Sequence, residues 1–203
     1  MATFGYRKIP DELAGDLPDL FSVQQDLEAA KRYGSRLRRE REDPRSADWD
    51  VIAGLTEAAI IRYARCFTTG HRLQLDETWL DSAHVKAHRK FLDIRRQHVA
   101  HSVNDYEESH ARIYVVEPPD PPSVNTVGLG GDRVAALSVS DIDALADLCE
   151  YLLLKVRERI EATSREVQVR IMKLPVPDVY AWPKPEGAAA KGHVRPQGNR
   201  TPN

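Results

Sequence analysis

The stretch Ser140–Ile171, SDIDALADLCEYLLLKVRERIEATSREVQVRI, decides the fold class. Ile142, Leu145, Leu148, Cys149, Leu152, Leu153, Val156 and Ile160 recur at mostly three- and four-residue steps, so one broad stripe of a helix carries them. Ser140 followed by Asp143 resembles a capping box with Asp in the Glu position, just ahead of the apolar run. The spacing predicts one long helix from Asp141 to about Ile171. A stripe of that width suits the core of a helix bundle, and it also suits a dimer interface.

Working back from it, Arg112–Val116 is rich in β-branched and aromatic residues, and Arg133–Leu137 is a candidate partner strand. Between them lie Pro118, Pro119, Pro121 and Pro122, then Gly128, Gly130 and Gly131. The expectation is a small β-hairpin inserted at about 111–138, with a long loop that is stiff and then flexible. The glycines do not open a helix after a strand, so they do not read as a dinucleotide cradle.

Three further helices are expected upstream. One starts at a cap on Asp81 or Ser82 and runs to between Ser102 and Asn104. Another is capped by Ser46 or Asp48 and runs to about Phe67, with Ile52, Leu55, Ala59, Ile60 and Tyr63 inside. The first spans about Leu20 to Arg41, introduced by Pro18-Asp19 and ended before Asp43-Pro44, because the residue before proline avoids helical geometry. Its outer face carries Lys31, Arg32, Arg36, Arg38, Arg39 and Arg41, a pattern that usually marks a solvated face. The fold class is therefore mainly α, an antiparallel four- or five-helix bundle with a small β-hairpin before the last long helix. Residues 1–18 read as an N-terminal arm and 19–174 as the helical domain. Residues 175–203, with six prolines and three glycines, read as a disordered tail.

With 203 residues, the chain is long enough to bury one good-sized core. A formal charge of −2 argues against a generally basic coat for nucleic acid, although a local patch is compatible with it. No run approaches the roughly 18 apolar residues of a membrane span, and the N-terminus lacks an apolar signal core. A cytoplasmic protein with no membrane partner is expected. Cys66 and Cys149 fall inside apolar helical patterns and read as free buried thiols.

Chemistry-bearing residues concentrate in Phe91–Tyr106, FLDIRRQHVAHSVNDY. At about 100° per residue, Arg95 and His98 lie one turn apart, and His101 follows one further turn along. The three make a slowly winding polar ridge beside Val99 and Ala100, a suitable wall for a cleft. Arginine stays charged and grips phosphate through paired hydrogen bonds, whereas histidine exchanges protons near neutrality. Metal-free RNA cleavage needs those two abilities together.

The run IRRQHVAHSVND resembles the signature of the HEPN superfamily, an arginine, four to six residues, then a histidine near the end of a bundle helix. The likeness is nearest to its abortive-infection-like branch, and RYARCFTTGHR, Arg62 to Arg72, resembles that branch's second helix. The resemblance implies a homodimer with two Arg–His sets facing across a cleft. It also implies metal-independent endoribonuclease activity in toxin, phage-defence or RNA-processing roles, with RNA as substrate and an antitoxin or defence protein as partner. His101 then transfers the proton, Arg95 clamps the phosphate, His98 stands on the same ridge and Asn104 supplies a polar position against the substrate. Arg96 stands where the family usually has Asn or Asp, and it is the alternative motif arginine, with four residues between it and His101. Val103 stands where toxins controlled by nucleotidyltransferases carry tyrosine.

Other uses of these residues stay open. His101 can act as a helix C-terminal cap, with Arg95 paired to Glu107 or Glu108. His84 and His88, four apart, and His98 and His101, three apart, have spacings that bind zinc, but no third ligand completes a helical metal motif. No cofactor is expected.

Overall fold

The computed structural model describes residues 5–42, 48–68, 72–96, 107–116, 123–133 and 136–184. The elements are α1 (Asp11–Ala14), α2 (Leu17–Glu40), α3 (Trp49–Ala64), a 3-10 turn (Glu77–Trp79), α4 (Ser82–Ile94), β1 (Glu107–Val116), β2 (Ser123–Arg133), α5 (Val139–Ile171) and α6 (Val176–Ala181). The protein is mainly helical. The chain divides into two compact units, one of residues 19–161 and one formed by 1–18 with 162–203.

Local chemistry sets the helix boundaries in the larger unit. α3 starts where the Asp48 carboxylate accepts hydrogen bonds from the N–H groups of Asp50 (3.0 Å) and Val51 (3.2 Å). Asp81 does the same for α4 through Ala83 (3.0 Å) and His84 (3.1 Å). In each case a side-chain oxygen satisfies N–H groups that have no partner inside the helix. α2 starts earlier than its apolar pattern, at Leu17, because Pro18 in the first turn sacrifices no hydrogen bond. α5 starts at Val139. Its cap is Ser138, whose Oγ accepts from the Asp141 N–H at 3.1 Å, and the expected cap Ser140 lies inside the helix. α3 ends at Ala64, before the expected Phe67, and residues 65–67 continue as a tighter turn, the Cys66 and Phe67 N–H groups donating to the carbonyls of Tyr63 (3.1 Å) and Ala64 (2.9 Å).

Ion pairs show how the helices run. Along α2 and α5, Glu28 pairs with Arg157 at 3.2 Å, Lys31 with Glu150 and Arg38 with Asp143, and the Arg41 guanidinium donates to the carbonyl of Leu137. Partners descend along α5 as they ascend along α2, so the two helices are antiparallel. Several of the α2 cations expected to be solvated are thus docked on α5. α4 also runs against α5, with Lys90 on Asp141 at 2.6 Å and His84 on Asp147 at 3.2 Å. Exposed pairs of this kind contribute about 0–1 kcal/mol each, so they report register more than stability.

Stability comes from the shared interior. Leu20, Val23, Leu27, Leu37, Ile52, Ile60, Tyr63, Phe91, Ile142, Leu145, Leu148 and Leu152 are fully buried. Each such side chain removed from water contributes roughly 1.5–3 kcal/mol. The stripe read from α5 is the floor of this core, and α2, α3 and α4 close over it.

β1 runs antiparallel to β2, from Glu107 opposite Arg133 to Val116 opposite Ser123, with an irregularity between Tyr114 and Val115. The expected partner strand Arg133–Leu137 is not the one used. β2 lies over Val124, Thr126, Val127 and Leu129, which supply β-forming residues ahead of and between the glycines. Leu137 is instead buried in the helical core.

In the smaller unit, α1 ends at Gly15, whose φ of 56° is a conformation that side-chain-bearing residues rarely adopt. The first part of the expected tail is ordered into α6. The N–H of Lys8 donates to the Pro183 carbonyl at 2.9 Å, and the Arg7 guanidinium donates to the Tyr180 carbonyl at 3.2 Å. These bonds fix a segment whose composition alone argues against order. The rest of the tail, 185–203, lies outside the described residues.

Two substitutions separate core from propensity. Leu148→Ala should cost about 2–5 kcal/mol in urea unfolding, because it opens a cavity in the floor of the core. Gly54→Ala should add about 0.5–1 kcal/mol, because a Cβ there meets nothing within 4 Å and alanine favours the interior of α3.

Candidate functional site

The C-terminal end of α4 is where the sequence concentrates its chemistry. Phe91 and Ile94 are buried and bind this end to the core, while Arg95 and Arg96 are exposed and continue the helix as a wider π-type turn. Such turns are frequent at functional positions. Arg96 is committed locally, its Nη2 donating to the Asp93 carboxylate at 2.7 Å. No ion pair is seen for Arg95 among the described residues. His98, His101 and Asn104 lie outside them, as does the expected extension of this helix to Ser102–Asn104, so the ridge is described only at its arginine end.

Behind that end sits an aromatic cluster. The Tyr63 hydroxyl is 2.7 Å from His88 Nδ1, both side chains are buried, and the rings of Phe67 and Phe91 pack against them. Burial pushes the Tyr63 hydroxyl far up, so it stays protonated and donates. Burial also pulls the His88 imidazole down, partly offset by Glu77, so it is neutral and accepts at Nδ1. His88 is therefore a core residue, held by one phenol.

The zinc spacing of His84 and His88 dissolves for the same reason. His88 points into the core, and His84 places one ring nitrogen on Asp81 (2.6 Å) and the other on Asp147 (3.2 Å) while stacking on Tyr151. Among the described residues, no group of three or more His, Cys, Asp or Glu side chains is placed to hold a metal ion.

The structure assembles a further cluster that helical spacing on one element could not reveal. Asp26, only 3% exposed at its side chain, lies in the middle of α2. Arg62 Nη1 reaches its Oδ1 at 2.8 Å, Arg72 Nη2 its Oδ2 at 2.7 Å, and Arg65 Nε comes to 3.5 Å of Oδ2. Arg72 also donates to the carbonyl of Arg65 at 2.8 Å, which ties the segment after α3 back onto its end. The hydrogen bond that Arg62 donates to Asp26, then the charge of that carboxylate, hold Arg62 more firmly protonated than usual. One carboxylate needs one guanidinium. Three around Asp26 leave positive charge in excess there, even with the Asp19 carboxylate close by on the Leu73 N–H (2.7 Å), and the side chains are 41% (Arg62), 51% (Arg65) and 21% (Arg72) exposed. The signal in sequence was the run Arg62, Arg65, Arg72, but the acid that gathers it sits 36 residues before Arg62.

Cys66, beside this cluster, is buried and free, as is Cys149. Burial pushes the Cys66 thiol up to about 12 and the Cys149 thiol higher still. Neither forms a thiolate at neutral pH, so neither serves as a nucleophile.

Two measurements check these assignments. A histidine whose folded pKa lies below its unfolded value of about 6.5 favours folding fully above that value. Unfolding free energy should therefore fall as pH drops from about 6.5 towards the folded pKa, and His88→Gln should flatten that fall whatever its cost at pH 7.5. Both thiols should resist a disulfide reagent at pH 7.5 in the native protein and react fully in denaturant.

Searches for likeness return no matching protein-family model, no matching curated protein and no matching solved structure.

Proposed function

We propose that this chain is a HEPN-like, homodimeric endoribonuclease that works without a metal ion. In this reading, an antiparallel bundle of four or five helices, with a small hairpin before the last long one, presents Arg95, His98 and His101 along one ridge. The observation that carries it is the exposed Arg95 guanidinium at the buried foot of α4, six positions before His101 in the signature run. Arg96 is already engaged by Asp93, which favours Arg95 as the clamp.

The chemistry follows from the residue types. A base removes the ribose 2′-OH proton, the 2′-oxygen attacks the adjacent phosphorus, and the bond to the 5′-oxygen breaks. Arg95 neutralises the charge gathering on the phosphate oxygens, and His101 carries the proton to the departing 5′-oxygen. The products are a 2′,3′-cyclic phosphate and a free 5′-hydroxyl. Asn104 contacts the substrate, and His98 extends the ridge. A cytoplasmic toxin or phage-defence role, with an antitoxin or defence protein as regulator, fits such an activity. The second reading is a non-catalytic module that binds RNA or a protein through the same groove. Among the described residues no helix is long and apolar enough to cross a membrane.

Purified protein incubated with mixed RNA in excess chelator should yield cyclic-phosphate ends. Arg95→Ala and His101→Ala should each reduce the rate by about a hundredfold or more. Arg96→Ala should cost less. Cleavage that survives both of the first two, or none on a broad RNA set, would overturn the nuclease. Binding without cleavage would favour the module.

A further inference from the structure

We infer that Arg62, Arg65 and Arg72, gathered on the buried Asp26 carboxylate, form a binding site for an oxyanion of the phosphate class. The site goes beyond the nuclease reading and needs none of its residues. Each guanidinium brings five N–H donors, and the contacts seen at Asp26, at the Tyr33 side chain (on Arg62) and at the Arg65 carbonyl leave donors over on each. The remaining donors belong to side chains that are one-fifth to one-half exposed.

Asp26 acts as the organiser. Its carboxylate is buried, so the near ends of Arg62 and Arg72 are pinned at 2.8 and 2.7 Å, and Arg65 is drawn in at 3.5 Å. Pinned forks lose little freedom when a ligand arrives, which is what preorganised recognition of a tetrahedral oxyanion requires. The cost of holding three like charges around one carboxylate falls when an anion joins them. A cation is repelled there, and a neutral acceptor gains hydrogen bonds without the relief of charge. The shared chemistry is a phosphate oxygen set, which a polynucleotide backbone or a free phosphate group supplies equally.

The test uses the full chain and two probes at fixed ionic strength. Inorganic phosphate, replacing chloride, should raise the melting temperature along a saturating curve. Fluorescein-labelled single-stranded RNA should bind by anisotropy. Arg65→Gln removes the most exposed and most loosely tied of the three, and Arg65→Lys keeps the charge without the fork. Loss of the phosphate increment in Arg65→Gln, with the melting temperature in chloride little changed, supports a site for free phosphate. A roughly tenfold or greater weakening of RNA binding in Arg65→Gln, with smaller loss in Arg65→Lys, supports the polynucleotide backbone. RNA binding lost in Arg95→Ala but retained in Arg65→Gln, with no phosphate increment, overturns the site. Absence of saturable binding by either probe overturns it as well. Both readouts are binding, so absence of RNA cleavage leaves them intact.

Discussion

Tyr63, His88 and Phe91 meet in one buried cluster, and the placement of the C-terminal half of α4 depends on that meeting. A phenol and an imidazole are expensive to bury alone, because each leaves a polar group without water. Buried together at 2.7 Å, the phenol O–H and the imidazole Nδ1 satisfy one another, and the surrounding rings pack against the pair. α4 is thereby held to α3 by a polar contact with one geometry inside an otherwise apolar core. Arginines directly beyond Phe91 and Ile94 are then delivered to the surface from a rigid foot.

The same economy operates at Asp26. A buried carboxylate among Val23, Leu27 and Ala30 would be costly without compensation, and one arginine on α3 compensates it. Arg72 also ties the segment after α3 onto its end, whereas Arg65, at 3.5 Å and half exposed, is the least committed of the three. Two of the protein's charged features are thus built differently. The pairs between α2 and α5 lie on the surface and keep two helices in register, whereas the Asp26 cluster concentrates positive charge around a single anchor.

Much of the helical architecture was legible. α5 ends at Ile171, where the long helix was expected to end, and the caps at Asp48 and Asp81 are among the residues that short polar side chains ahead of apolar runs single out. Other features were not. Ser138 caps α5 in place of Ser140 because the helix starts one turn's fraction earlier than its apolar stripe. β2 runs through glycines that composition assigns to a loop. α6 forms in a proline-rich segment because Lys8 and Arg7, more than 170 positions away, bond to its end.

Sequence by itself determined the helix class, the long helix, the buried state of both thiols and the residue types available for phosphate chemistry at Arg95 and Arg96. Those follow from periodicity and side-chain chemistry, which are local. Tertiary structure alone decided that His88 serves the core, that His84 is tied between two aspartates, and that Arg62, Arg65 and Arg72 converge on Asp26. Burial and charge pairing are properties of which helix faces which, and no spacing along one helix encodes the identity of the neighbour.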